Sequence, residues 1–179
     1  MTARILMKNE LISLTYGCIV RQIIEDCEND ISTANKELEQ LGFNIGGRLI
    51  DEFLSRQDSE PCKGFREVAE KVALGFKMFL GIDVKVTAKS ETEFSYLFVE
   101  NTLDENVILP EEFENLEYSN LICGVIRGAL NAINLKVKCY FVSDRLQKDK
   151  KPGSVGPSHY EIRVELEEVI KKKLINYDD

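Results

Sequence analysis

The sequence predicts an α+β domain in which a layer of helices packs on a mostly antiparallel β-sheet. Before residue 82, apolar residues recur at steps of three and four, which is the spacing of one helix face. After residue 82, short segments of alternating apolar and polar residues, typical of strands, flank a single helical segment. Helices and strands that are segregated along the chain favour an α+β architecture with helices on one face of the sheet.

The composition fits a single globular domain that covers residues 1–179. Apolar residues make up 44% of the chain and charged residues 30%, which excludes a disordered protein. The net charge of −8 argues against a protein that binds nucleic acid through overall positive charge. No apolar stretch reaches the ~20 residues of a membrane span, and the N-terminus lacks a signal-peptide core, so we expect a cytoplasmic protein.

Two long helices are predicted at the start of the chain. The first runs over about residues 9–27, and residues 28–30 end it. Ser32 or Thr33 then caps the second helix. The apolar face of this second helix consists of Ala34, Leu38, Leu41, Ile45, Leu49 and Phe53.

Glycines inside these helices need an explanation, because each costs ~1 kcal/mol relative to alanine in a helix interior. Gly42, Gly46 and Gly47 fall within six positions of the second helix. They predict either a break or the close approach of another backbone or a ligand, and tight helix packing is the favoured interpretation. Gly124 and Gly128, in the fourth helical segment, indicate close packing against a helix or the sheet.

The remaining elements follow in order. A loop over residues 57–64 precedes a third helix that ends at Gly81, a favourable C-cap. Strand-like segments at 83–88 and 93–100 form a hairpin. A fourth helix over 117–134 is followed by strands at 136–141 and 159–166. The basic loop at about 147–157 is predicted to be mobile, and the core of the domain spans about residues 9–170.

Two lysine clusters stand out in this acidic chain, at residues 148–151 and 171–173. The simpler interpretation is a pair of solvated surfaces. The alternative is contact with anionic lipid head groups, which contributes roughly 1 kcal/mol per basic residue near a membrane.

The cysteine pattern is typical of a reducing compartment with free thiols. The five cysteines are an odd number, and no pair has CxxC spacing. His159 is the single histidine, so no structural zinc site is expected. Cys18, Cys27, Cys123 and Cys139 fall in helix or strand patterns, where we expect small buried hydrophobic residues.

Cys62 is the candidate reactive residue, because it lies in a loop at the start of the third helix. The helix N-terminus, Lys63 and Arg66 favour the thiolate form there. Such a thiolate can serve as a catalytic nucleophile, a redox site or an acylation site. A nucleophile usually needs a base, and His159 offers the single imidazole.

A series of short motifs runs from the first helix to the fourth. They are LTYG at 14–17, GFNIG at 42–46, Cys62, FRE at 65–67, FKMFLG at 76–81, EFS at 93–95, VEN at 99–101, YSNL at 118–121, CGV at 123–125 and RGAL at 127–130. In order and spacing they resemble the small subunits of the TRAPP vesicle-tethering complex, and most closely the Bet family, subunit 3. The resemblance covers roughly residues 9–170.

The resemblance implies a scaffold subunit without catalytic chemistry of its own. Members of the family dimerise through helices, as homodimers or with sister subunits, and the assembled complex tethers ER-derived vesicles at the early Golgi. The complex also acts as a nucleotide exchange factor for a Rab GTPase. We therefore expect other TRAPP subunits and a Rab-family GTPase as partners, peripheral contact with early Golgi and ER–Golgi membranes, and an apolar dimer face on the first two helices.

The resemblance also implies a lipid site. In the family, the cysteine that matches Cys62 carries a palmitoyl thioester, and the chain lies in an internal apolar channel; no other cofactor is implied. The family often has a basic residue before this cysteine, where the present chain has Pro61, and Lys63 is the candidate replacement. The predicted channel wall consists of Ile45, Gly46, Leu49, Ala69, Val72 and Gly75.

Two other functions stay open at this point. The family's fold resembles vinyl-reductase-type ligand-binding domains, so the main alternative is a sensor of haem or another small apolar molecule, with His159 as the candidate haem ligand. The second alternative is a thiol enzyme, such as an acyl carrier or transferase, that acts through Cys62. A Soret-type absorbance band would indicate the sensor, and release of the acyl group to an acceptor would indicate the enzyme.

Overall fold

The computed structural model describes residues 2–56, 62–105, 107–146 and 159–170, with side chains from residue 10 onward. In this part of the chain, four α-helices and a four-stranded antiparallel sheet form the predicted α+β fold. In chain order the elements are α1 (Thr2–Asp26), α2 (Ile31–Arg56), α3 (Phe65–Leu80), β1 (Lys85–Ala88), β2 (Glu93–Phe98), a 3-10 turn (Glu111–Phe113), α4 (Asn120–Ala132), β3 (Leu135–Ser143) and β4 (Tyr160–Val169).

The sheet has the strand order β1-β2-β4-β3, and each neighbouring pair is antiparallel. Along β4, Ile162 and Val164 are buried in the core, whereas Glu161 and Arg163 lie on the other face. This alternation follows from the two-residue period of a strand. Arg163 pairs with Glu93 at 3.3 Å and with Glu161 at 3.2 Å, so ion pairs occupy the face that the helices leave uncovered.

α2 and α4 pack backbone to backbone through glycines. Four glycines make this contact, Gly42 and Gly46 on α2 and Gly124 and Gly128 on α4. A Cβ placed on Gly46 would lie 2.1 Å from the carbonyl oxygen of Val125, which is far inside van der Waals contact. α2 runs without a break through these glycines. The close-packing interpretation is therefore confirmed, and the neighbouring helix is identified as α4.

The helix ends agree only in part with the predictions. Asp30, not Ser32 or Thr33, caps α2: its Oδ1 accepts a hydrogen bond from the Ser32 backbone N–H at 3.0 Å, and its Oδ2 accepts one from the Thr33 hydroxyl at 2.6 Å. Asp is among the best N-cap residues because its side chain reaches the first free N–H groups. Gly81 ends α3 with φ of 72°, as the sequence predicts, since glycine adopts this left-handed backbone readily.

The element boundaries differ from the predicted ones by a few residues. α1 begins at Thr2 rather than near residue 9, and α4 begins at Asn120 rather than 117 because a turn precedes it. β3 and β4 extend beyond the predicted segments. The predicted loop at 147–157, both lysine clusters and Pro61 lie outside the described residues. Among the helices described, none is long and apolar enough to span a membrane.

Candidate functional site

An apolar cavity with a volume of about 1090 Å³ opens among the helices. Its walls come from α1, α2, α3 and α4 and from the ends of β3 and β4. Pockets for drug-sized ligands typically enclose ~300–1000 Å³, so this cavity can take an extended apolar molecule. Within the described chain, Lys63 and Lys71 are the charged residues among its walls. The cavity therefore favours an apolar ligand.

α3 lines the cavity over most of its length. Val68, Val72, Gly75 and Phe79 all belong to the wall, because residues three and four apart share one face of a helix. The 16 residues of α3 span ~24 Å. A Cβ placed on Gly75 would meet no atom within 4 Å, so the cavity stays open at this point of the wall. Such a wall suits a long chain better than a round ligand.

A second wall is formed by the pair of helices α2 and α4. Ile45 and Leu49 on α2 and Val125 and Ala129 on α4 line the cavity. The glycine contacts between these two helices leave no room for side chains between their backbones. This wall is consequently fixed in position, since closely packed backbones resist small shifts.

Cys62 lies at the end of the cavity where α3 begins, and it is partly buried. The backbone N–H of Lys63 donates a hydrogen bond to Oε2 of Glu67 at 2.8 Å, which fixes the entry of the chain into α3. Arg66, which the sequence places near the thiol, forms an exposed ion pair with Glu70 at 3.8 Å. The structure thus brings Cys62 to the wall of the apolar cavity, and its reactivity stays a prediction.

The structure places five of the seven predicted site residues on the cavity wall and two elsewhere. Gly46 faces α4, and Ala69 faces the sheet, where its carbonyl accepts a hydrogen bond from the Tyr96 hydroxyl at 3.0 Å. Each lies one residue from a wall position, which is about 100° around the helix. For all seven residues, a role in holding an acyl chain stays a prediction. The five wall residues are Cys62, Ile45, Leu49, Val72 and Gly75.

Apolar side chains of α1 and α2 are exposed at the rim of the cavity. Leu11 is 66% exposed, Ile19 40% and Leu54 47%, and all three also line the cavity. Leu14, on α1, is 68% exposed and does not belong to the wall. These residues lie where the family resemblance predicts an apolar dimer face, and dimerisation itself stays a prediction.

The other cysteines and the histidine lie away from the cavity. Cys18 is exposed on α1, so its predicted burial is wrong, whereas Cys123 and Cys139 are buried in the core as predicted. His159 precedes β4, where its carbonyl accepts a hydrogen bond from the Ser143 hydroxyl at 2.9 Å, and it is not a wall residue. The described residues contain no group of three His, Cys, Asp or Glu side chains that could hold a metal.

A buried polar cluster near the cavity has no counterpart among the sequence predictions. The Asp104 carboxylate accepts hydrogen bonds from the Tyr160 hydroxyl at 2.9 Å, the Asn101 amide at 3.0 Å and the Ser119 hydroxyl at 3.3 Å. Burial raises the pKa of Asp104, and these three donors oppose that shift. Ser119 and Tyr160 lie 15 and 56 residues from Asp104 along the chain, so the fold is needed to reveal the cluster.

Asp144 is a second buried carboxyl group beside this cluster. It accepts a hydrogen bond from the Leu146 backbone N–H at 3.0 Å. Burial, with smaller contributions from the carboxylates of Asp104 and Glu117, raises the pKa of Asp144 to about 6. This group therefore changes its charge near neutral pH.

Hydrogen bonds connect the polar cluster to the cavity through α1. The Tyr16 hydroxyl donates to the carbonyl of Tyr118, and the Ser13 hydroxyl donates to the carbonyl of Leu103 at 3.4 Å. Tyr16 and Leu103 also line the cavity. Burial raises the pKa of Tyr16, so its hydroxyl remains a donor. These bonds hold α1 in place although much of its surface is exposed.

Comparison with known proteins identifies the family. Residues 12–165 match the family described as transport protein particle (TRAPP) component. The chain belongs to the TRAPP family. Trafficking protein particle complex subunit 3 of Dictyostelium discoideum is 44% identical over 177 residues, which cover 96% of this chain and 90% of that protein. Transport protein particle subunit bet3 of Schizosaccharomyces pombe is 38% identical over 169 residues, with 92% and 87% covered.

A solved structure shares the fold of this TRAPP protein. The trafficking protein particle complex subunit 3 from Naegleria fowleri superposes with a TM-score of 0.81 at 40% identity, and the match covers 93% of this chain and 99% of that chain. That protein is covalently bound to palmitic acid. The resemblance to the small TRAPP subunits of the subunit 3 branch, inferred from the motifs, is confirmed.

Proposed function

We propose that this TRAPP subunit carries a palmitoyl chain as a thioester on Cys62, with the chain held in the apolar cavity. The observation that carries the proposal is the position of a partly buried thiol at the end of a cavity of about 1090 Å³. The choice of palmitate is supported by the Naegleria fowleri relative, which is covalently bound to palmitic acid.

The attachment is an exchange between a thiol and an acyl thioester such as an acyl-coenzyme A. The Cys62 sulfur attacks the carbonyl carbon of the donor and forms a new carbon–sulfur bond. The carbon–sulfur bond of the donor breaks, and the donor thiol leaves with the proton from Cys62. Atoms and electrons balance without an oxidant or a reductant, and the apolar tail enters the cavity between α3 and the α2–α4 wall.

The cavity supplies the free energy that retains the chain. A buried methylene contributes ~0.8 kcal/mol, so about twelve of them contribute ~10 kcal/mol. A chain held in this way adds to the stability of the fold. Because its methylenes are used inside the protein, it adds no affinity for a membrane, and contact with membranes is made by the assembled complex.

The subunit acts as a non-catalytic scaffold of the TRAPP complex in ER-to-Golgi transport. It pairs with a second copy or a sister subunit through α1 and α2, and it contributes to Rab GTPase exchange by the assembled complex at early Golgi membranes. Membership of the TRAPP family and the exposed apolar residues Leu11, Leu14 and Leu54 support this part of the proposal.

The test is the intact mass of the protein purified from its native host, before and after hydroxylamine, which cleaves thioesters. Cys62→Ser is the test variant, and Cys18→Ser, which removes an exposed thiol, is the matched control. We expect a palmitoyl-sized increment that hydroxylamine removes, that Cys62→Ser lacks and that Cys18→Ser retains. An unmodified native protein, or an increment that persists in Cys62→Ser, contradicts the proposal.

A further inference from the structure

Two lysines belong to the wall of a cavity that is otherwise apolar. The wall residues that the structure describes include Lys63 and Lys71 and no carboxylate, and the acidic residues of α3, Glu67 and Glu70, lie outside the wall. A purely apolar ligand gives no reason for two like charges there, because a charge held against apolar surface loses hydration. The chain has a net charge of −8, which repels anions at long range, so an anionic ligand needs local positive charge. The two lysines therefore indicate a ligand with negative charge at one end.

Lys71 lies at the edge of the wall that α3 forms. It follows Val68 by three residues and precedes Gly75 by four, so its side chain neighbours both on the helix surface. A Cβ placed on Gly75 would meet no atom within 4 Å, so the cavity is open beside Lys71. Lys71 itself is half-buried. A lysine in such a position typically lays its carbon stem along apolar surface and keeps its ammonium group towards water.

Lys63 lies at the Cys62 end of the cavity and is exposed. The hydrogen bond from its backbone N–H to Glu67 fixes its backbone at the start of α3, whereas its side chain extends into the opening. Because an α-helix rises 1.5 Å per residue, Lys71 lies ~9 Å along the axis from the first residue of α3. Each lysine carries its charge on a flexible four-carbon stem. Both ammonium groups can therefore approach one anionic ligand whose tail enters the cavity.

We propose that Lys63 and Lys71 form an anion-binding site at the α3 edge of the cavity, which holds the negatively charged end of an acyl ligand. This inference rests on the acyl ligand proposed above and adds its class, a long acyl chain with an anionic end. The phosphates of an acyl-coenzyme A and the carboxylate of a free fatty acid share this chemistry. When the ligand is the thioester donor, holding its phosphates keeps the acyl carbonyl near Cys62 during the exchange.

The experiment measures non-covalent binding to Cys62→Ser protein by displacement of an uncharged fluorescent dye, below the concentration at which the ligands form micelles. The probes are lauroyl-coenzyme A, sodium laurate and dodecanol, which share one saturated chain and differ in charge. The test variant combines Lys63→Met and Lys71→Met, because methionine keeps a long apolar stem and removes the charge. The matched control is Lys77→Met, which removes one exposed charge of α3 outside the wall.

We expect the double variant to bind lauroyl-coenzyme A on the order of tenfold more weakly than the Cys62→Ser parent, and dodecanol equally well. Lys77→Met should bind all three probes like the parent. Added sodium chloride should weaken binding of lauroyl-coenzyme A to the parent without weakening binding of dodecanol. A laurate loss of similar size supports the site and shows that one negative charge suffices. A smaller laurate loss supports it and identifies the phosphates as the preferred group.

Three outcomes overturn the inference. They are an unchanged affinity of the double variant for lauroyl-coenzyme A, an equal loss of affinity for dodecanol, and the same loss in Lys77→Met. If the double variant loses its helical circular dichroism, the salt dependence of the parent decides, and a salt-independent affinity for lauroyl-coenzyme A overturns the inference. A thioester missing from Cys62 in the native protein would contradict the proposed function alone, since this experiment uses protein without that thiol.

Discussion

Substitution of Gly46 by alanine should destabilise the protein strongly, because it forces apart the two helices that form the fixed wall of the cavity. The new Cβ would lie 2.1 Å from the Val125 carbonyl oxygen and 2.9 Å from the Ala129 amide nitrogen. Ordinary contact begins at 3.4 Å, so α2 and α4 must separate by more than an ångström. Overpacking of a well-packed core costs typically ~1–3 kcal/mol, and a clash with the backbone of α4, which cannot move aside as a flexible side chain can, lies at the upper end of that range.

The neighbouring glycine provides a control of opposite sign. A Cβ placed on Gly47 would meet no atom within 4 Å, although Gly47 lies in the same helix. Alanine is favoured over glycine in a helix interior by ~1 kcal/mol. Gly47→Ala should therefore stabilise the protein by about that amount, while the same chemical change one residue earlier destabilises it.

Urea denaturation of both variants, followed by circular dichroism, gives the two free energies of unfolding. The expected result is a difference of ~2–4 kcal/mol between Gly46→Ala and Gly47→Ala, with the parent protein between them. Two variants of equal stability, or a Gly46→Ala protein as stable as the parent, would show that α2 and α4 are not in backbone contact.

Two further predictions concern the cavity and the buried carboxyl groups. Gly75→Leu should stabilise the unacylated protein by ~2–4 kcal/mol, because leucine has a higher helix propensity than glycine and its side chain would be buried in the cavity. The same side chain occupies space in the cavity, so the variant should carry less acyl chain on Cys62. Urea denaturation and intact mass measure the two effects, and an undiminished acyl fraction would contradict the cavity as the acyl site. For Asp144, the pKa of about 6 in the folded protein lies above the ordinary value of 3.8. Between these pH values the folded protein therefore binds more protons than the unfolded chain. The free energy of unfolding should consequently fall as the pH rises from about 4 to 6. Asp144→Asn keeps an oxygen acceptor for the Leu146 N–H. It should remove much of this fall and raise the free energy of unfolding by up to ~3 kcal/mol at pH 7. Urea denaturation across this pH range is the measurement, and an unchanged pH profile would refute the assignment.

Periodicity along the chain is sufficient to predict each helix and strand, because the buried face of an element is encoded in its own residues. The spacing from Ala34 to Phe53 predicts α2, and the alternation from residue 159 onward predicts β4. Cys62 can also be singled out from the sequence, since a cysteine between a loop and the start of a helix is a local feature. The order and spacing of the short motifs then indicate the family.

Features that depend on a neighbour from elsewhere in the fold cannot be predicted from the sequence by such reasoning. Gly46 and Ala69 sit one position from wall residues, and only the directions of α4 and the sheet decide which side each one faces. Cys18 has an apolar neighbourhood on α1 yet is exposed, because none of the elements that the structure describes covers that side. The carboxylate of Asp104 accepts a hydrogen bond from the hydroxyl of Tyr160, which follows it by 56 residues.

The strand order has a consequence for how the chain folds during synthesis. Among the strands that the structure describes, β4 comes last along the chain, but it lies in the middle of the sheet, between β2 and β3. Until residues 160–169 have been synthesised, β2 lacks one of its two neighbouring strands, and the hairpin of β1 and β2 is supported by its packing on α3, where the Phe76 and Tyr96 rings meet. Gly42 and Gly46 on α2 likewise have no packing partner until α4 has been made, and α4 comes much later in the chain. The four-stranded sheet is therefore complete only after β4 has been made, and pairing over this sequence distance is slower than pairing between neighbouring strands.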